Sequence, residues 1–342
     1  MARNTSLVWK FAALSVILVG AIFANLMAGS TLIPFFDIFS TLFFDESSQV
    51  NYYIIWELRL PKTIAAILVG FALPLAGLLL QSLFRNPLAG PYVLGISSGA
   101  SLGVAIFVLL GGSTLYASAW FFSGGISFFA ILGAMLVLLA VLGISHKIHD
   151  SVSLLIVGIM FGSITGALVS VLQYFSSPEL LQRFIIWTFG SLGGIHWHEI
   201  GMMTTLVLVS IILSFQLMKP LNVLLINEEY ALSLGVSVRK IRFLVIIISS
   251  LLAGIVTAFA GPIVFIGIAV PHLARNVFRT NDHRILLPAV LLIGAILMLM
   301  CDLIAQLPGS DIVLPINSVT SLVGAPVIIW IIIQNKRIHE AR

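Results

Sequence analysis

The sequence predicts an all-α, polytopic membrane protein, a single domain over residues 1–342, and three observations carry that reading. Hydrophobic residues make up 60% of the chain, against roughly 45–50% in soluble domains. Runs of about 20 apolar residues recur along the whole length, each able to cross a hydrocarbon core about 30 Å thick. Charged residues are only 9% of the chain and collect between those runs. No polar stretch is long enough to form a soluble domain.

Ten spans are predicted, at 11–33, 61–83, 93–111, 118–144, 152–175, 199–218, 243–260, 262–278, 285–306 and 314–334. Helices are the expected form, because isolated strands leave backbone groups unpaired in lipid. The first run follows Arg3 and Lys10 and is too long for the apolar core of a signal peptide, so it is read as a transmembrane helix. An even number of spans puts both termini on one side. Arg3, Lys10, Arg275, Arg279, Arg284, Lys336 and Arg337 then share that side with the segment 219–243. Of 17 Lys and Arg only Arg59, Lys62 and Arg183 fall on the other, leaving 14 on the first. This asymmetry marks the first side as cytoplasmic. It also accounts for the net charge of +4 without a nucleic-acid partner. The outer side carries Asp37, Asp45, Glu46, Glu57, Glu179, Glu199 and Asp311, and Ile185–Phe189 is expected as a short interfacial helix. The single Cys301 excludes an intrachain disulfide.

Two spans carry small residues at every fourth position, Gly95, Gly99, Gly103 and Gly158, Gly162, Gly166. Such rows allow close helix packing, or they line and flex a pathway. An internal echo joins Ala89-Gly90-Pro91-x-Val93-x-Gly95-Ile96 to Ala260-Gly261-Pro262-x-Val264-x-x-Gly267-Ile268. The two copies enter spans of opposite direction, as in an inverted repeat with a pathway between its halves.

The segment 219–243 interrupts the apolar pattern with seven ionisable residues, Lys219, Glu228, Glu229, Tyr230, Arg239, Lys240 and Arg242. Glu228 and Glu229 suit the N-terminal dipole of a short helix, and Gly235 suits its C-terminal cap. A solvated basic loop is the bland alternative. The chain holds no G-x-x-x-x-G-K-[ST] phosphate loop, so any ATP must be hydrolysed on another subunit. Asp302 is the one acid well inside a span, either a structural group or a functional one. His196-Trp197-His198-Glu199 has a metal-like composition, but residues two apart on a helix point away from each other. An interfacial Trp with solvated His fits better, and His146, His149 and His272 show no ligand spacing. Neutral polar residues collect in the fifth span (Ser163, Thr165, Ser170, Gln173) and the tenth (Asn317, Ser318, Thr320, Ser321). They suit either a conduit for a hydrophilic solute or helix–helix hydrogen bonds.

Several motifs together resemble the FecCD/BtuC-type permease family. They are Arg59-Leu60-Pro61-Lys62-Thr63, Gln81-x-x-x-Arg85-Asn86-Pro87-Leu88-Ala89-x-Pro91-x-x-Leu94-Gly95 and Glu228-Glu229-x-Ala231-x-x-Leu234-Gly235-Val236. Phe265-x-Gly267-x-x-x-Pro271-His272-x-x-Arg275, Asp282-His283-Arg284-x-x-Leu287-Pro288 and Leu314-Pro315 through Gly324-Ala325-Pro326 follow in order. The resemblance spans roughly residues 55–334. It implies a ten-helix permease, with an inverted repeat, of an ATP-binding-cassette importer in a bacterial cytoplasmic membrane. The solute would be an iron-siderophore complex, with haem or cobalamin as alternatives. The implied partners are an ATPase dimer that holds the ATP, a second permease subunit and an extracellular binding protein; no cofactor is implied on this chain. Asn227, Glu228, Glu229, Tyr230, Ala231, Leu234, Gly235 and Val236 would couple to the ATPase, and Arg59 and Lys62 would meet acids of the binding protein. Where many members carry a further Arg, this chain has Gln306. An ion-coupled carrier is the alternative from another class, and no paired acids support an enzyme.

Overall fold

A computed structural model of the chain describes residues 2–44, 49–111, 119–145, 148, 151–307 and 312–340, and every regular element among them is helical. The predicted outer acids Asp45, Glu46 and Asp311, together with His146 and His149, lie outside the described residues, as do the side chains of Arg3, Lys336 and Arg337. Helix α1 (Ala2–Met27) precedes the short helices α2 (Phe35–Phe43) and α3 (Gln49–Tyr53). The chain continues through a π-helical turn, Ile54–Arg59, into α4 (Leu60–Phe84). A 3-10 turn, Pro91–Leu94, leads into α5 (Ile96–Ala105), which ends in a second π-helical turn, Ile106–Leu110. Next come α6 (Ala119–Ser145), α7 (Ser151–Tyr174), α8 (Pro178–Thr188), α9 (Trp197–Gln216), α10 (Met218–Leu224) and α11 (Glu228–Ser233). The last four are α12 (Val238–Ala260), α13 (Ile266–Phe278), α14 (His283–Ala305) and α15 (Ile316–Glu340).

All ten predicted spans coincide with helices, namely α1, α4 to α7, α9 and α12 to α15. Among the described residues, seven helical stretches are long and apolar enough to cross a membrane by themselves, while Ile96–Leu110 and Ile316–Trp330 are shorter apolar helices. The 13 residues of α13 extend only about 20 Å at the α-helical rise, short of a hydrocarbon core about 30 Å thick. Both copies of the sequence echo are the irregular leads into short helices, α5 and α13. Ala89, Gly90 and Pro91 are buried in one lead, and Ala260, Gly261 and Ile263 in the other. Non-helical backbone in such a protein is tolerated where other protein covers it.

Two boundaries differ from the sequence reading. α1 stops at Met27 rather than at 33, and the connection predicted over 34–60 is largely helical. The predicted span 61–83 opens on Pro61, a residue with no N–H to donate that favours a first helical turn. Here the π-helical turn just before it widens the backbone, so one helix runs through from Gln49 to Phe84.

The chain divides into two compact units, each discontinuous in sequence. The first comprises 1–74, 191–207 and 264–342; the second comprises 75–190 and 208–263. In the first, α1 packs along α14, and α13 packs against α14 and α15. The Lys10 ammonium donates to the Val277 carbonyl at 2.7 Å and lies over the Phe278 ring, so α1 caps the end of α13. In the second unit α5 lies between α6 and α7, and α12 packs on α6. The glycine row of α5 is the reason these helices approach so closely. A Cβ on Gly99 would sit 2.6 Å from the Gly133 carbonyl oxygen, and one on Gly95 2.9 Å from that of Gly158. Gly166, by contrast, faces open space.

Candidate functional site

The segment 219–243 folds as α10, α11 and the start of α12. Asn227 is extended, and its side-chain oxygen accepts the Glu229 N–H at 3.2 Å. That capping bond satisfies one of the orphan donors at the start of α11, and Glu228 and Glu229 complement the positive end of the dipole. At the other end Gly235 takes φ 75°, a conformation in which a Cβ is strained. Its N–H bonds the Leu232 carbonyl at 3.0 Å, and the Val236 N–H bonds that of Ala231 at 3.0 Å. This pair of bonds forms a Schellman cap. α11 is thus a short rigid corner, closed at both ends by local hydrogen bonds. Ala231 is buried beneath it, while Ile226, Tyr230, Leu232 and Leu234 are exposed. A Cβ added at Gly235 meets nothing within 4 Å. Four exposed apolar or aromatic side chains therefore stand on an otherwise charged segment.

Two arginines tie this corner to the helices of the second unit. Arg242, buried near the start of α12, pairs with the Glu228 carboxylate at 3.4 Å and donates to the Ile148 carbonyl at 3.3 Å. Arg85 directly follows α4 and donates to the Leu224 carbonyl, at the end of α10, at 2.9 Å. Between them lies a cavity of about 290 Å³ lined by Arg85, Val152, Leu224, Glu228, Val238 and Arg242. α11 is thereby linked to α12 through Glu228 and, by way of α10, to the end of α4 through Arg85. The sequence reading put Glu228 at the N-terminus of a short helix and missed Arg85 and Arg242 as anchors of that helix. Arg85 stood in a quoted motif, but its partner lies 139 residues away.

The two bases expected to face a binding protein both make bonds within the first unit. Arg59 is buried, and its guanidinium donates to the carbonyls of Leu26 (2.6 Å), Met27 (2.9 Å) and Thr31. It satisfies the last carbonyls of α1 and so sets the early end of that helix. Lys62 pairs with Asp302 at 3.1 Å and keeps 17% of its side chain exposed. Asp302 is buried and also accepts from Asn25 (2.9 Å) and Gln306 (2.7 Å); Thr63 donates to Asn25 at 3.0 Å. A buried carboxylate with three donors is a satisfied charge. Asn25 was not anticipated, nor the joining of Thr63 and Gln306 to it and to Asp302, because the five residues come from three distant parts of the chain.

The neutral polar residues separate by exposure. On α7, Ser163 and Ser170 are exposed, Gln173 is half-buried, and Thr165 is buried with its hydroxyl on its own helix. Ser163, Gly166 and Ser170 form one open polar stripe on an otherwise apolar helix. On α15, Ser318 is exposed, Thr320 is buried, and Thr320 and Ser321 both donate to the Asn317 carbonyl. The Asn317 side-chain oxygen accepts the Val264 N–H at 3.2 Å. That bond steadies a rare turn in which Phe265 has φ 69° and the Ile266 N–H bonds the Val264 carbonyl at 2.9 Å. A γ-turn of this positive-φ form is strained.

The His196-to-Glu199 cluster is a helix start. The Glu199 carboxylate accepts the His196 backbone N–H at 2.9 Å, the reciprocal half of a capping box. The Trp197 indole donates to the Trp56 carbonyl at 3.0 Å. Among the described residues, no three His, Cys, Asp or Glu side chains are grouped so as to hold a metal. Helix α8 includes most of the predicted interfacial segment. At its start, hydrogen bonds from the backbone and the Ser177 hydroxyl hold the exposed Glu179 carboxyl below its ordinary range.

The family model described as the FecCD transport family matches residues 17–334. The vitamin B12 import system permease protein BtuC of Citrobacter koseri is 36% identical over 324 residues, covering 95% of this chain and 94% of that protein. The protein of the same name from Salmonella paratyphi A is 38% identical over 293 residues, covering 86% and 87%. A solved inward-facing structure of a transporter assigned to the metal-chelate ABC type superposes with a TM-score of 0.83. It is 30% identical, and the match covers 95% of this chain and 99% of the other. PsaBC from Streptococcus pneumoniae, solved with a Fab, shares the fold at a TM-score of 0.54 and 15% identity, covering 82% and 93%.

Proposed function

The chain belongs to the FecCD transport family, and from that premise we propose that it carries a bulky iron-siderophore chelate across the cytoplasmic membrane by alternating access. The observation that supports the proposal most is the doubly capped corner from Asn227 to Val236, with its exposed apolar face and its ties to α4 and α12. In this reading Asn227, Glu228, Glu229, Tyr230, Ala231, Leu234, Gly235 and Val236 form the contact with a separate ATPase dimer, which binds and hydrolyses the ATP. ATP-driven closure of that dimer moves α11, and Arg242 and Arg85 pass the movement to the membrane helices. The open stripe of Ser163, Gly166 and Ser170 and the exposed Ser318 offer weak polar contacts to a passing solute. Gln173, Asn317 and Ser321 flank those positions along the same helices, while Thr165 and Thr320 pack them. A second permease subunit and an extracellular binding protein complete the transporter. Lys62 retains some exposure and is kept as a docking base; Arg59 acts by holding the end of α1. Both termini and α11 lie on the cytoplasmic side.

A second reading, cobalamin as the solute, is favoured by the names of the curated relatives. Uptake into cells that express the chain with its partners separates the two. Radiolabelled ferric siderophore should accumulate, competitively with unlabelled siderophore, and uptake should stop on ATP depletion while surviving an uncoupler that spares ATP. Accumulation of cobalamin alone would move the assignment to the second reading. Uptake that survives ATP depletion and collapses with uncoupler would indicate an ion-coupled carrier. Mild-detergent co-purification with an ATPase tests the corner's partner directly.

A further inference from the structure

We infer that α2 is a membrane-inserted interfacial helix whose Phe face contacts lipid acyl chains. The four exposed residues of α2 are Phe35, Phe36, Phe39 and Phe43, and Phe44 extends the row. The opposite face, through Ile38, packs into a core cluster with Leu26, Ile33 and Ile55. The exposed face of α2 is all phenyl; half-buried Asp37 and Ser40 lie beside it and Thr41 is buried behind, with both hydroxyls donating to the Asp37 carbonyl. Its rings form one continuous array, with centroids 6.1 Å apart for Phe35 and Phe39 and 4.7 Å for Phe39 and Phe43.

Continuity with the surface of α1 identifies the occupant. The exposed stripe of that spanning helix runs through Val16, Val19 and Gly20 to the half-buried Phe23. Phe23 meets Phe35 at 5.0 Å, so the lipid-facing side of α1 passes directly into the Phe face. In the same unit the rings of Tyr52, Trp56 and Trp197 follow one another at 6.2 and 6.4 Å between centroids; Tyr52 and Trp197 are exposed, while the Trp56 indole nitrogen is buried. Tyr and Trp favour the headgroup level, whereas phenyl rings without a polar atom favour the acyl chains just below it.

The test uses the full chain, assembled with its partners in phosphatidylcholine and phosphatidylglycerol vesicles. Phe36→Cys and, separately, Phe43→Cys are labelled with bimane; Cys301 is buried and stays unlabelled. Both substitutions replace exposed side chains, so the fold is retained. A nitroxide high on the lipid acyl chain should remove most of the emission, and aqueous iodide should leave it unchanged. Quenching by iodide alone would place the face in water and overturn the inference. Resistance to both quenchers would show a protein cover, such as a second permease subunit, and would overturn it equally.

Discussion

At the residue scale, the charges that look most exposed in the sequence act inside the fold. Asp302 and Lys62 form a pair with two amide donors around the carboxylate, and removing one partner leaves the other uncompensated. Asp302→Asn should lower stability by about 3 kcal/mol, the low end for a broken buried pair because Lys62 keeps some contact with water. Thermal unfolding in detergent measures it. Lys62→Met combined with Asp302→Leu should recover only part of that loss, since an apolar pair avoids the desolvation cost but takes the acceptor from the Asn25 and Gln306 amides. A double variant as unstable as the single one would contradict this account of the cluster. Arg59 shows why pattern alone mislocates a base. An arginine beside an outer loop resembles a docking residue, yet its planar fork matches the carbonyls of α1, which only the folded chain brings together.

At the element scale, α11 is the part most legible in the sequence, because its caps are local. Asn227, the two glutamates and Gly235 lie within nine residues and need no distant partner. Asn227→Ala should cost about 1 kcal/mol of stability through the lost cap, seen as a modest drop in melting temperature. Gly235 permits a sharper experiment. Because a side chain there meets open space, Gly235→Arg costs the chain only left-handed strain, about 1–2 kcal/mol. It should abolish uptake while the protein stays folded in the membrane, and Gly235→Asn, which tolerates that conformation, should retain uptake. Equal uptake by the two variants would remove the partner-contact role. The turn before α13 was not legible: no local pattern announces a positive φ at Phe265, and Asn317 supports it from 53 residues away. Asn317→Ala should cost about 1–3 kcal/mol by leaving the Val264 N–H without its acceptor, whereas Asn317→Asp, which keeps an acceptor oxygen, should cost less in the same melting assay.

At the scale of the whole molecule, the 17 Lys and Arg and their separation by the spans predict one orientation. A membrane-impermeant maleimide applied to intact cells should label Glu179→Cys, on the outer connection, and leave Ser233→Cys on α11 untouched. The reverse pattern would invert the topology and remove α11 from the side where ATP is found. The compact units do not follow the chain from one end to the other. α4 changes unit at Pro74, and residues 191–207 and 208–263 belong to different units although they adjoin in sequence.

Hydropathy and local caps therefore determined the helical class, the ten spans and the corner at α11, and short motifs carried the resemblance to the family, because each depends on neighbours a few residues apart. Packing between distant segments decided the rest. The Asp302 cluster, the anchoring of α11 by Arg85 and the capping of α1 by Arg59 all join parts of the chain that no short window contains. A buried charge must find donors wherever the fold brings them, and only the tertiary structure shows which residues those are.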